Sequence, residues 1–246
     1  MRTHAFVSLL SFGLFAGCVS EVPQGEPAPV FPAGTGQAAR TSNYPAAPYG
    51  FGVGSVIPNY AFMGIPRSRV STALVQVRLS DFYNPDGGQL YPTGSPYGEA
   101  QALPKALVLQ TCVAWATSCL QDAMTELPAK RLQLGPRGTE FLVGFEEGVT
   151  HGRAMTRTQL QTWGTKYNVD YPIVLSLSAE FGAIDGVDGL SAEGRLVLIR
   201  TADMKIIAKY TATEDGGVAE GNTTAPYFWN SLDGVLKGER VIPSDY

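Results

Sequence analysis

The chain has 246 residues, of which 44% are hydrophobic and 16% are charged, and its formal net charge is −4. This length and composition predict one globular domain with extensions rather than several separate cores. A weakly acidic chain has no excess of positive charge with which to bind a phosphate backbone, so we do not expect nucleic acid as a partner.

The amino terminus is typical of an exported bacterial protein. Arg2 precedes an apolar segment, residues 5–15, which is too short to span a bilayer as a mature helix. Leu14-Phe15-Ala16-Gly17-Cys18 resembles a lipobox, which implies that residues 1–17 are a signal peptide and that Cys18 is lipidated. The alternative is an ordinary secretory signal in which Cys18 has no role. The lipobox predicts a lipid anchor on the periplasmic side of the cell envelope, and the absence of an acidic residue after Cys18 favours the outer membrane.

A low-complexity segment follows the signal peptide. Residues 18–49 are rich in Pro, Ala and Gly and have no hydrophobic periodicity, which predicts a disordered tether and a folded domain over residues 50–246. Within the domain, Thr72–Val77 predicts a strand and residues 79–83 a short element, whereas residues 89–102 have the Gly, Pro, Tyr and Ser content of a loop.

The central stretch of the domain runs from residue 106 to residue 134. Ala106–Leu109 is a short apolar run without Pro or Gly and predicts a buried strand. After a turn beginning near Thr111, apolar residues recur at helical spacing. We therefore expect Cys119 in the first turn of a helix, where free N–H groups and the helix dipole favour a thiolate.

The second half of the domain predicts alternating strands and helices. The predicted elements are a strand at Thr139–Phe145, a helix capped by Thr156 and Gln159, a strand or extended arm at Tyr171–Leu175, an antiparallel hairpin of Leu196–Ile199 with Ile206–Tyr210, and a helix from Pro226.

This order of elements, together with Trp115-Ala116-Thr117-Ser118-Cys119 at a strand-to-helix turn, resembles the thioredoxin-like superfamily, in particular its bacterial redoxin branch. The resemblance implies an α/β protein with a thioredoxin-like fold: a central mixed sheet flanked by helices, with an N-terminal β-hairpin extension entered through residues 50–62. Family members carry Trp-Cys-x-x-Cys at this turn. Laid on that motif, Ala116 takes the place of the nucleophilic cysteine and Cys119 takes that of the resolving cysteine.

Two further parts of the family's dithiol machinery are missing. Its cis-proline falls near Gly194, a residue that can adopt unusual dihedrals, and its buried carboxylate falls at Gln110. The resemblance therefore implies a degenerate dithiol site with a non-catalytic binding or structural role. Trp115, Ala116, Thr117, Ser118 and Gly194 would form its binding surface, and the partner would be an unidentified envelope protein or thiol protein.

The cysteines leave other functions open. The competing hypothesis is a single-cysteine thiol-disulfide oxidoreductase or peroxidase-like protein that uses Cys119, with Cys112 as its resolving or disulfide partner. In an exported protein these two residues either form a disulfide or stay as buried free thiols. His151 lies near two glutamates in sequence, which is too few ligands for a metal site, and we expect no metal or cofactor.

Overall fold

The computed structural model describes residues 44–117, 121, 125–175, 195–210, 224–239 and 241. Within these residues the strands are β1 (Ala61–Ile65), β2 (Val75–Arg78), β3 (Ala106–Val113), β4 (Thr139–Glu147), β5 (Ile173–Leu175), β6 (Leu196–Arg200) and β7 (Lys205–Tyr210). The α-helices described in full are α1 (Leu127–Leu134), α2 (Arg157–Tyr167) and α3 (Ala225–Lys237), and a 3₁₀ helix spans Leu79–Phe82.

The strands form one mixed sheet in the order β2-β1-β5-β4-β3-β6-β7. β3 pairs in parallel with β4 and antiparallel with β6, and all eight of its residues are buried. A strand that is buried along its whole length and has neighbours on both sides is typical of a sheet covered on both faces. The predicted α/β class with a central mixed sheet is therefore confirmed.

The N-terminal hairpin is joined to the core through β5. β1 pairs antiparallel with β2 on one side and antiparallel with β5 on the other, while β5 runs parallel to β4. The sequence left residues 171–175 as a strand or an extended arm. Residues 173–175 form a strand because backbone partners on both sides satisfy their hydrogen bonds.

Two apolar clusters cover the two faces of the sheet. On the helix face, Val108 and Cys112 of β3 pack with residues of α2 and α3 such as Leu160 and Phe228. On the opposite face, Leu107 and Leu109 pack with the N-terminal arm and the loop before β3. Alternation along the strand thus decides which residues face the helices. A register shift between Cys112 and Val113 brings Val113 into the helix-face cluster as well.

The capping residues in the sequence agree with the positions at which two helices begin. Thr156 accepts a hydrogen bond from the Gln159 N–H, and the Gln159 side chain accepts one from the Thr156 N–H, so the predicted capping box is confirmed. Thr224 caps α3, with Pro226 in its first turn. In the described part of the chain, no helix is both long and apolar enough to cross a membrane.

The end of the predicted tether packs on the domain. The Tyr44 hydroxyl donates to the carbonyl of Ile57 at 2.8 Å, and the Tyr44 ring lies 5.8 Å from that of Tyr83. Residues 44–49 therefore contact the domain that the sequence analysis began at residue 50.

Candidate functional site

The candidate site begins at the carboxyl end of β3. The strand was predicted to stop at Leu109, but its pairing with β4 continues through Cys112 and Val113, so that prediction is wrong by four residues. Backbone hydrogen bonding to β4 and burial keep Thr111–Val113 extended. The turn lies at Ala114 and Trp115, and Thr117 is helical.

Cys112 lies in the strand itself. Its side chain is 0% exposed, it faces the helices, and it is disulfide-bonded. The other cysteines of the chain, Cys18 and Cys119, lie outside the described residues. The helical position of Cys119 and the lipidation of Cys18 thus stay predictions.

Ala116 is a core residue in this structure. It is 4% exposed, it belongs to the helix-face cluster, and its N–H donates to the carbonyl of Val113 at 3.1 Å. Thr117, the next residue, is exposed. A side chain at residue 116 therefore meets packed apolar atoms rather than solvent, and the first exposed residue after the turn is the one that follows it. Ser118 lies outside the described residues.

Trp115 is held by two residues that follow β4. Its indole Nε1–H donates to Glu147 Oε2 at 2.5 Å, and its ring meets the His151 ring edge-to-face at 4.7 Å between centroids. The same carboxylate oxygen accepts a hydrogen bond from the Gly152 N–H at 2.8 Å. The predicted binding residue Trp115 is thus already engaged within the domain, although its side chain is only partly buried.

The hydrogen bonds at Glu147 stabilise its ionised form. Partial burial acts to raise the pKa of this carboxyl, but the hydrogen bonds from the Gly152 N–H and the Trp115 indole N–H, with a smaller electrostatic contribution from nearby His151, outweigh burial and hold the pKa below its ordinary value. Glu147 is consequently an ionised acceptor at neutral pH, and its bond to Trp115 is charge-assisted.

Gln110 is buried where the resemblance expected a carboxylate. Its side chain is 3% exposed, and its Oε1 has no hydrogen-bond partner within the described ranges. An amide cannot accept a proton at neutral pH, so this residue cannot serve as the proton acceptor of a dithiol site.

Two residues at this edge were not foreseen as parts of the site. Glu147 was considered only as a metal ligand, because nothing in the sequence links it to Trp115. Arg195, which immediately precedes β6, is 5% exposed, and its carbonyl accepts from the Thr111 N–H at 3.2 Å. An arginine before an apolar strand is ordinarily a surface residue, so the sequence carries no signal of its burial.

Among the residues that the structure describes, no three His, Cys, Asp or Glu side chains form a group that could hold a metal ion. Gly194 lies outside the described residues, as does Glu193 beside it.

This chain is similar to known proteins in its structure and not in its sequence. No family model matches it, and no curated protein matches it. An uncharacterized conserved protein from Geobacillus kaustophilus is 13% identical, with a TM-score of 0.53 over 79% of this chain and 87% of that one. Reduced 2-Cys peroxiredoxin of Plasmodium vivax is 13% identical, with a TM-score of 0.51 over 79% and 88% of the two chains. These likenesses confirm that the chain has the thioredoxin-like fold of the redoxins.

Proposed function

We propose that this chain is a lipid-anchored protein of the bacterial envelope whose thioredoxin-like domain has lost dithiol catalysis and has a binding or structural role. The observation that carries the proposal is burial at the strand-to-helix turn. Ala116 is 4% exposed, and Cys112 is fully buried and disulfide-bonded. Thiol–disulfide exchange starts with attack by an accessible thiolate, and neither residue offers one.

The surroundings of the turn support the same proposal. Gln110 offers a buried amide instead of a carboxylate, so this residue cannot take up a proton beneath the turn. Trp115 is partly exposed and Thr117 is exposed, so both offer surface to a partner. We assign the binding role to this surface, together with Ser118 and Gly194 on the basis of the family resemblance. The partner would be an envelope protein.

The loss of dithiol catalysis is tested with insulin. The Cys18→Ala variant, purified without its anchor, should not accelerate the reduction of insulin by dithiothreitol. A thioredoxin-fold protein with an intact Trp-Cys-x-x-Cys motif is the positive control. A rate near that of the control would contradict the proposal.

The anchor is tested separately in cells. We expect the chain to incorporate labelled palmitate and to sediment with membranes, because a lipobox directs acylation of Cys18 and several acyl chains bind a bilayer firmly. The Cys18→Ala variant should lose both properties. Equal palmitate labelling of that variant would contradict lipidation at Cys18.

The disulfide of Cys112 favours a second candidate, a single-cysteine redox protein. In this function the Cys119 thiolate attacks a peroxide, the O–O bond breaks, an alcohol or water leaves, and a sulfenic acid forms. The Cys112 thiol then displaces water from the sulfenic acid, which forms the disulfide. An external dithiol protein supplies the two electrons that restore both thiols.

Reduction potential separates the two candidates. A structural disulfide has a potential below about −300 mV, whereas a catalytic one is more oxidising. The redox candidate further requires that Cys119→Ser abolish peroxide consumption and that Cys112→Ser leave a trapped adduct. A potential below that limit, with neither effect in the variants, would exclude the redox function and leave the binding role.

A further inference from the structure

Glu147 joins the two segments that meet at the candidate site. It is the last residue of β4 and pairs with Val113 of β3 at the register shift. Its carbonyl accepts from the Ala114 N–H at 3.0 Å, and its carboxylate accepts from the Trp115 indole at 2.5 Å. One residue thus holds the turn through both its main chain and its side chain.

The carboxylate is itself fixed from the opposite side. Glu147 Oε2 accepts from the Gly152 N–H at 2.8 Å, and Gly152 has a φ of +72°, a conformation that suits glycine. The loop closes on itself because the Gly148 N–H donates to the carbonyl of Arg153 at 2.8 Å. These hydrogen bonds therefore fix the position of the Glu147 carboxylate relative to the loop that follows it.

The loop is also packed against α2. A Cβ built on Gly148 would lie 2.6 Å from the side-chain oxygen of Gln159, the residue that completes the capping box of that helix. The loop after β4 thus lies close against the start of α2. This gives the carboxylate a fixed place from which to orient the indole.

We propose that Glu147 is a positioning residue of the candidate site: its carboxylate holds Trp115 across the turn that follows Cys112, and this contact limits how fast the Cys112 disulfide is reduced. The proposal rests on the assignment of this turn as the functional site. Without the charged acceptor the indole loses a charge-assisted hydrogen bond, and the turn opens more often.

The indole N–H signals of Trp115, Trp163 and Trp229 provide the first test by NMR. Trp115→Phe identifies the Trp115 signal by its loss. We expect Glu147→Gln to shift that signal and to leave the Trp163 signal in place, because the Trp163 Nε1–H is buried without a hydrogen-bond partner in the described part of the chain. Trp163 is therefore an internal control for general loss of packing.

A pH titration of the wild-type protein, followed by the Trp115 indole signal, tests the same contact without a substitution at Glu147. Protonation of Glu147 should shift the Trp115 indole signal in acid, with a midpoint below the ordinary glutamate value of about 4.3, because the pKa of Glu147 is lowered. His151 is the titratable side chain that faces Glu147 and Trp115 from the loop. His151→Gln should keep the acid step, because that step belongs to Glu147.

The rate of disulfide reduction by a phosphine provides the second test. Glu147→Gln and Glu147→Asp should each raise the rate roughly tenfold, since the loss of one charge-assisted hydrogen bond is of that order. Gln removes the charge of the acceptor, whereas Asp keeps the charge but changes the position of the carboxylate. Thr224→Ala, which weakens the cap of α3 rather than that of the helix beside the Glu147 loop, is the control for lower overall stability and should change the rate much less.

Each result decides one part of the proposal. An acid titration that leaves the Trp115 signal unmoved would overturn the role of Glu147. A shifted signal with an unchanged reduction rate would overturn its control of the disulfide. Both readouts are independent of any catalytic or binding activity, so a failure of the proposed function would be seen separately in the insulin and peroxide assays.

Discussion

The buried ion pairs at Glu140 allow a quantitative test of what stabilises the domain. The Glu140 side chain is 5% exposed and accepts from Arg67 Nη2 at 2.5 Å and from Arg131 Nη1 at 2.7 Å. The two arginine side chains are 6% and 16% exposed. Glu140 lies in β4, Arg131 in α1 and Arg67 after β1, so one carboxylate connects three parts of the fold.

Removal of the Glu140 carboxylate leaves the positive charges of Arg67 and Arg131 without their main ion-pair partner. Loss of one partner of a buried pair costs about 3–5 kcal/mol. Asp170 lies 3.6 Å from Arg67 Nε and 3.7 Å from Arg131 Nε, but it is 45% exposed and replaces only part of the lost interaction. We therefore expect Glu140→Ala to lower the free energy of unfolding by about 3 kcal/mol, which corresponds to a fall in Tm of about 6–12 °C for a domain of this size.

Urea unfolding and calorimetry measure this change. Asp233→Asn removes an exposed acceptor that pairs with Arg137 and Lys237 and is the control, for which we expect no measurable change. The combined variant Arg67→Met, Arg131→Met and Glu140→Leu should recover most of the loss, because it leaves no buried charge unpaired. A loss below about 1 kcal/mol in Glu140→Ala, or no recovery in the combined variant, would refute uncompensated charge as the cause.

Three further predictions concern the site and its support. If the partner of Cys112 is Cys119, a reductant should lower the unfolding free energy by about 2.5 kcal/mol in urea titrations, since the disulfide closes a loop of about eight residues; an unchanged midpoint would contradict this pairing. Ala116→Cys should react with Ellman's reagent at least about tenfold more slowly when folded than when unfolded, because the residue is 4% exposed; fast labelling with insulin turnover would instead indicate a restorable dithiol site. Thr156→Ala should cost about 1 kcal/mol by calorimetry, while Thr158→Ala, at an exposed helical residue, should cost much less.

The elements that the sequence predicts well are those with local signals. The capping pair at residues 156 and 159 and the two apolar runs of the β6–β7 hairpin each depend on neighbours in sequence, and each appears within a residue or two of its predicted position. The end of β3 was wrong because it depends on β4. The apolar run ends before Gln110, yet pairing of Thr111 and Cys112 with Gly144 and Phe145 continues the strand.

The residues of the candidate site also differ in whether the sequence alone indicates them. Trp115 and Cys112 stand out in sequence because of their chemistry and their place near a predicted turn. Glu147 does not, because its contact with Trp115 spans 32 positions and arises only when β4 lies beside β3. The burial of Ala116 was also beyond the sequence, since an alanine suits a core and a surface equally well.

The two functional hypotheses differ in how readily the disulfide of Cys112 is reduced. Cys112 is 0% exposed within the helix-face cluster, so an external thiol must attack its disulfide partner, and Cys112 must be the leaving thiolate. Apolar surroundings stabilise a thiolate poorly, and a poor leaving group slows exchange. Rapid reduction by a dithiol protein thus requires the turn at Ala114 and Trp115 to open and admit water. Since Glu147 holds that turn closed, the geometry around Cys112 favours a lasting disulfide and a binding role over rapid catalytic turnover.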